Sequence, residues 1–101
     1  MGTRLELHSV LEILLGSDHV YFQPPSSISM KFPAIVYARK SINNLYADNN
    51  VYGQSRYYEI TVIDSDPDSE IVDKISRFPG CKFDRHFKSD NLNHDVFTLY
   101  F

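Results

Sequence analysis

Two β-patterned runs, separated by an asparagine-rich stretch, constrain this chain more than any other feature. Arg56 to Ile63 alternates, with Tyr58, Ile60 and Val62 on one side and Tyr57, Glu59, Thr61 and Ile63 on the other. After Pro33, the run Ala34-Ile35-Val36-Tyr37-Ala38-Arg39 is apolar and rich in β-formers. These two runs are predicted to pair with one another. Between them, Lys40 to Ser55 mixes Asn43, Asn44, Asn49 and Asn50 with Leu45, Tyr46, Val51 and Tyr52. Asp48-Asn49-Asn50 is a turn signal, because Asn and Asp tolerate left-handed backbone. A connection this long in a small domain is either functional or ordered by itself. The stretch 40–55 therefore reads as a long hairpin extension.

Helical spacing occurs twice. Leu7, Val10, Leu11 and Leu14 share one helical face, Thr3 and Glu6 have capping-box spacing, and Gly16 suits a helix C-cap. This predicts a helix over 4–15. A second helix is predicted from Asp66 as N-cap and Pro67 as first helical residue, with Ile71, Val72, Ile75 and Phe78 as its apolar face. Asp68 and Glu70 suit its positive end, and Pro79-Gly80 stops it. His19–Gln23 reads as a short strand ended by Pro24-Pro25. Two closing strands are expected at 81–88 and 95–101. On the first, Cys81, Phe83 and Phe87 would face the core shared with Phe97, Leu99 and Phe101, leaving Lys82, Asp84, His86 and Lys88 outside. The order α-β-β-β-α-β-β makes a single α+β domain over 1–101, two helices packed on a mostly antiparallel sheet.

Charge and cysteine usage narrow the function. The formal charge of −3 argues against a chain whose main task is binding nucleic-acid phosphate. One cysteine, Cys81, excludes an internal disulfide and a cysteine zinc cluster. No apolar run has the length of a membrane span, and Met1–Leu7 carries Arg4 and Glu6 without a signal-peptide pattern. The expectation is a soluble protein made in a reducing cytoplasm.

Several constellations carry possible chemistry. Asp84, His86 and His94, with Asp95 beside His94, offer imidazoles and carboxylates to a metal if the last hairpin forms. Their spacing matches no compact metal motif, and a polar strand face explains them as well. Cys81 is a nucleophile only if His86 or His94 reaches it, and a buried cysteine behaves as a small hydrophobe. Asp64, Asp66 and Asp68 lack the glycine and distal glutamate of a calcium loop, and capping and the helix dipole account for them. Arg39, Lys40 and Arg56 suggest a small basic patch at the root of the hairpin. Seven Tyr and seven Phe exceed what a small core hides, and Tyr46, Tyr52, Tyr57 and Tyr58 cluster on or beside the hairpin. Tyrosine is an interface anchor because it buries area and keeps a polar tip. Cross-strand pairing within the monomer is the competing explanation. Leu45, Tyr46, Val51 and Tyr52 are the candidate subunit contacts, with Arg85, His86 and His94 as secondary ones. No catalytic residue, metal site or cofactor is assigned.

Three stretches carry a resemblance that covers most of the chain. They are Tyr21-Phe22-Gln23-Pro24-Pro25 with Met30-Lys31-Phe32-Pro33-Ala34-Ile35-Val36-Tyr37, then Tyr58 through Ile71, and Phe83-Asp84-Arg85-His86-Phe87 with Asp90 through Tyr100. They resemble a family of small tailed-phage head–tail joining proteins, variously called tail terminator, tail completion or minor capsid proteins. The resemblance implies a non-enzymatic virion protein of the tail and neck, assembled in the host bacterial cytoplasm, in phages or prophages with long tails. It implies a ring, six copies in tail terminators, that ends growth of the tail tube and meets the head connector or stopper protein. DNA would pass through that ring without specific binding, a passage that an acidic balance suits, and no membrane is involved. A neighbouring head–tail connector role is the alternative. A metal-dependent or nucleotide-processing enzyme using Asp84, His86 and His94 is another, and a monomeric adaptor that recognises a partner by strand addition is a third.

Overall fold

The stripe of Leu7, Val10, Leu11 and Leu14 becomes the inner face of a helix, α1 (Arg4–Leu15), whose Leu7 and Leu11 are fully buried. Gly16 closes it with φ +81°, donating its N–H to the Glu12 carbonyl at 2.9 Å. A computed structural model of the chain describes residues 4–24, 31–47, 50–66 and 68–101, and for 41–55 the backbone alone. Thr3, Pro67 and the turn residues Asp48 and Asn49 lie outside the described residues.

The remaining elements are β1 (Val20–Phe22), β2 (Ala34–Ala47), β3 (Asn50–Asp64), α2 (Glu70–Ser76), β4 (Cys81–Ser89) and β5 (Leu92–Tyr100). They give the expected α+β order, with one five-stranded sheet ordered β1-β2-β3-β5-β4. Only the β1–β2 pair is parallel. The alternation of Arg56–Ile63 is realised in register: Ile35 pairs with Val62, Tyr37 with Ile60, and Ile60 with Phe97. Tyr58, Ile60 and Val62 therefore point to the helices, where Leu7, Leu11, Ile75, Phe97 and Leu99 complete the core. Among the described residues, the other side of the sheet carries no helix. Among the described residues, no helix is long and apolar enough to cross a membrane.

Two local expectations are corrected. The second helix starts at Glu70 with Ser69 as its N-cap, not at Asp66. Ser69 Oγ accepts the Ile71 N–H at 3.3 Å, whereas the Asp66 carboxylate accepts the Asp68 N–H at 2.9 Å. A carboxylate committed to a turn two residues on is not free to cap a helix. Asp68 therefore precedes the helix, and Glu70 and Asp73 occupy its first turn.

The second correction concerns Phe83 and Phe87. The β4–β5 ladder runs Cys81↔Leu99, Phe83↔Phe97, then Arg85↔Val96 and Phe87↔His94. Asp84 is the extra residue of a bulge, and one extra residue reverses the parity of everything after it. Phe87 is thereby moved to the helix-free side, and His86 and Lys88 to the helix side. Phe83 keeps the core side but lies on the edge strand, where it touches Phe97 edge-on with ring centres 5.5 Å apart. Phe83 is 51% exposed and Phe87 42%, against 0% for Phe97. Neither joins the core.

Candidate functional site

The long hairpin outruns the sheet that carries it. The last β1 partner on β2 is Tyr37, and the last β5 partner on β3 is Tyr57. Past Arg56, whose carbonyl still accepts the Phe101 N–H at 3.1 Å, β2 and β3 pair only with each other among the described residues, from Asn43↔Ser55 to Ala47↔Asn50, with register shifts at Arg39/Ser41 and Leu45/Tyr46. At about 3.3 Å per residue this two-stranded arm reaches roughly 20 Å past the sheet. The molecule is accordingly 52 Å long and 28 × 23 Å across. Leu45, Tyr46, Val51 and Tyr52 all lie on the arm: Leu45 pairs with Gly53 and Tyr46 with Val51. Their side chains lie outside the described residues.

A two-stranded ribbon by itself is marginal in water. Exposed strand edges are ordinarily guarded by lysine, proline or other charge. Residues 41–55 contain no Lys, Arg or Pro, and their only charge is Asp48. At the root, Arg39 and Lys40 are exposed and Arg56 is half-buried, which places the expected basic patch where the arm leaves the sheet. Beside the root, on the helix-free side, Tyr57 and Tyr100 meet with ring centres 3.8 Å apart. They border a hollow of about 410 Å³ that Lys82, Phe83, Asp84 and Thr98 also line.

The terminal hairpin does not gather its polar residues into one site. His86 Nδ1 lies 2.7 Å from Asp95 Oδ1, on the helix side of the sheet. His94 faces the other way, stacked on Phe87 with ring centres 4.6 Å apart and its Nδ1 3.2 Å from the Leu92 carbonyl. Asp84 sits in the bulge, where its carboxylate accepts a hydrogen bond from Arg85 Nη1 at 2.7 Å. Arg85 also approaches Glu59 at 4.0 Å. The sheet thus separates His86 and Asp95 from His94. Among the described residues, no group of three His, Cys, Asp or Glu side chains converges as metal ligands.

Cys81 packs against the core, and burial pushes its thiol above the ordinary value of 9.0, which favours the unreactive protonated form. Five residues of strand, roughly 16 Å, separate it from His86. Asp64 Oδ1 accepts the Asp66 N–H at 3.1 Å, so Asp64 and Asp66 both serve successive turns.

Sequence reasoning missed one polar cluster between α1 and the sheet. Tyr37 is fully buried, yet its hydroxyl lies 2.7 Å from His8 Nδ1. Arg4 lies over the Phe22 ring at 4.5 Å. Burial pushes the Tyr37 phenol above 10.0, and the Arg4 guanidinium only partly offsets it. No local pattern marks His8 as Tyr37's partner. Leu5 and Ile13 fall off the apolar stripe of α1 and stay exposed.

No protein-family model matches the chain, and no curated protein matches it.

Proposed function

We propose that this chain is a structural virion subunit, a tail terminator that forms a closed ring at the head-proximal end of a phage tail tube. The observation that carries the reading is the arm formed by β2 and β3 beyond the sheet. It is a ribbon with two unguarded edges, and such a ribbon becomes stable when another surface covers it. A protrusion that fits a different surface on the next copy makes a heterologous contact, and heterologous contacts close into rings when the rotation allows. Leu45, Tyr46, Val51 and Tyr52 supply the apolar and tyrosine content of that contact. The resemblance of Tyr58–Ile71 and of Phe83–Tyr100 to head–tail joining proteins supplies the setting. The ring's partners are then the tail tube protein on one side and the head connector on the other, with DNA passing through. Nothing in this role needs a catalytic group or a cofactor.

Electron microscopy of particles from a phage or prophage lacking the gene tests the reading. Overlong tail tubes detached from heads are the expected result. Normal-length tails beside unjoined heads would move the chain to the neighbouring connector role. Particles of wild-type form would overturn the structural reading altogether.

A further inference from the structure

The long axis of the molecule is electrically polarised. β3 runs from the arm to Asp64, so the sheet has an arm end and a far end. The far end carries Asp64 and the turns that follow it, with Asp66, Asp68 and Glu70. Asp18, in the α1–β1 connection, and Asp90, in the β4–β5 turn, join them there. All but Asp64 are exposed, and Lys31 and Lys88 are the bases at this end. The arm end carries Arg39, Lys40 and Arg56 at the root of the arm, Lys82 near the start of β4 and Arg77 just past α2. Glu6, Glu59 and Asp84 are the acids near this end. Among the described residues, no ion pair involves Asp64, Asp66, Asp68 or Glu70, nor Arg39, Lys40 or Lys82.

We infer that the acidic far end of one copy receives the basic root of the arm of a second copy, so that the arm lies along its neighbour's body. The inference rests on the reading of the chain as a ring subunit and names the surface that the arm's root meets. Two ends of opposite sign on one chain are complementary between copies and repulsive in any like-to-like pairing. That disfavours any contact that places like ends together and is met by the head-to-tail contact a ring needs. Exposed charge pairs contribute little one at a time. Several on each side instead steer and orient the encounter, with a strength that falls as salt screens them. Once the root meets the far end, the arm reaches roughly 20 Å over the neighbour, which covers its unguarded edges.

A charge-swap experiment on the full chain tests this. One variant reverses the far end (Asp18→Lys, Asp68→Lys, Glu70→Lys) and the other the arm root (Arg39→Glu, Lys40→Glu, Lys82→Glu). Circular dichroism and melting check that each is folded, and a milder pair (Asp68→Asn, Glu70→Gln) stands in if a triple variant is not. Sedimentation velocity at low salt should show wild-type association. Each variant alone should associate at least about tenfold more weakly, because like charges then face each other. An equimolar mixture should recover, since each reversed end finds an opposite partner, and high salt should weaken the wild type. Wild type and both variants associating equally would overturn this contact and leave the ring reading standing. A mixture no better than its components would also overturn the contact. A wild-type chain that stays monomeric at the highest attainable concentration would overturn the ring-subunit reading with it.

Discussion

His86 and Asp95 face each other across the last two strands, Nδ1 to Oδ1 at 2.7 Å, and Asp95 is nearly buried whereas His86 sits on the exposed edge strand. The carboxylate points to the helix side because Asp95 keeps the parity of Phe97 and Leu99 on β5. His86 reaches that side only because the Asp84 bulge reverses the parity of β4. The imidazole thus gives a buried carboxylate its hydrogen bond, a structural role.

Removing His86 leaves Asp95 without that bond. His86→Ala is expected to lower stability by about 1–2 kcal/mol in urea unfolding. Combined with Asp95→Asn it should lose less than the sum of the two single changes. Zinc or a chelator should leave the melting temperature of wild type and His94→Ala unchanged. Stoichiometric zinc lost in His94→Ala would mean that the two sides of the hairpin rearrange around a metal.

The bulge makes the closing phenylalanines unequal. Phe97→Ala should cost about 3–5 kcal/mol, as for a large core deletion. Phe87→Ala should cost less than about 1 kcal/mol, since that ring only stacks on His94 at the surface. Equal losses in a denaturant titration would place Phe87 in the core after all.

Alkaline stability follows from two acids withdrawn from water, Tyr37 fully and Cys81 in part. Burial raises Cys81 above 9.0 and Tyr37 above 10.0 in the folded chain. The unfolded chain then releases these protons first as the pH rises. The stability contribution is intact below 9.0 and is lost as the pH climbs through the raised folded values. Melting temperature should fall with increasing pH above 9.0, and Cys81→Ala should flatten the first part of that fall. A profile rising with pH in this window would contradict the burial of both groups.

Two glycines share a left-handed backbone but not their surroundings. Gly80 has φ +85°, and a Cβ there would lie 2.9 Å from the Tyr100 carbonyl oxygen. Gly16 has φ +81° with open space around it. Gly16→Ala should cost about 1 kcal/mol from backbone strain alone. Gly80→Ala should cost clearly more, because backbone must move as well. The reverse ranking in equilibrium unfolding would contradict the packing of Gly80 under the end of β5.

Periodicity made most of the fold legible. The alternation at Tyr58, Ile60 and Val62 and the stripe at Leu7, Leu11 and Leu14 each point one face at the core, and the register bears this out. The arm was legible because β-formers are interleaved with the asparagines of 40–55; the turn expected at Asp48 and Asn49 lies outside the described residues. The failures were local competitions between residues of similar preference. Asp66 and Ser69 are both good caps, and the choice depends on which side chain the turn has already taken. The bulge at Asp84 has no pattern of its own in Lys-Phe-Asp-Arg-His-Phe, so strict alternation put Phe87 on the wrong side. The His8–Tyr37 contact joins residues 29 apart through the packing of α1 on β2, which no local spacing encodes. The charge polarity along the axis was hidden for the same reason: Asp18, Asp68 and Asp90 share one end only after folding.

On the proposed function, the arm joins this chain to its neighbours in a phage neck. Complementation of a gene-deleted phage with a chain whose residues 44–54 are replaced by a tight Asn-Gly turn, between the paired Asn43 and Ser55, tests this most directly. This shortened protein should melt close to wild type, since the described core residues all lie outside 44–54, yet leave tails overlong and heads unjoined. Full-length protein should restore both. Normal particles from the shortened chain would rule out the arm as the joining element.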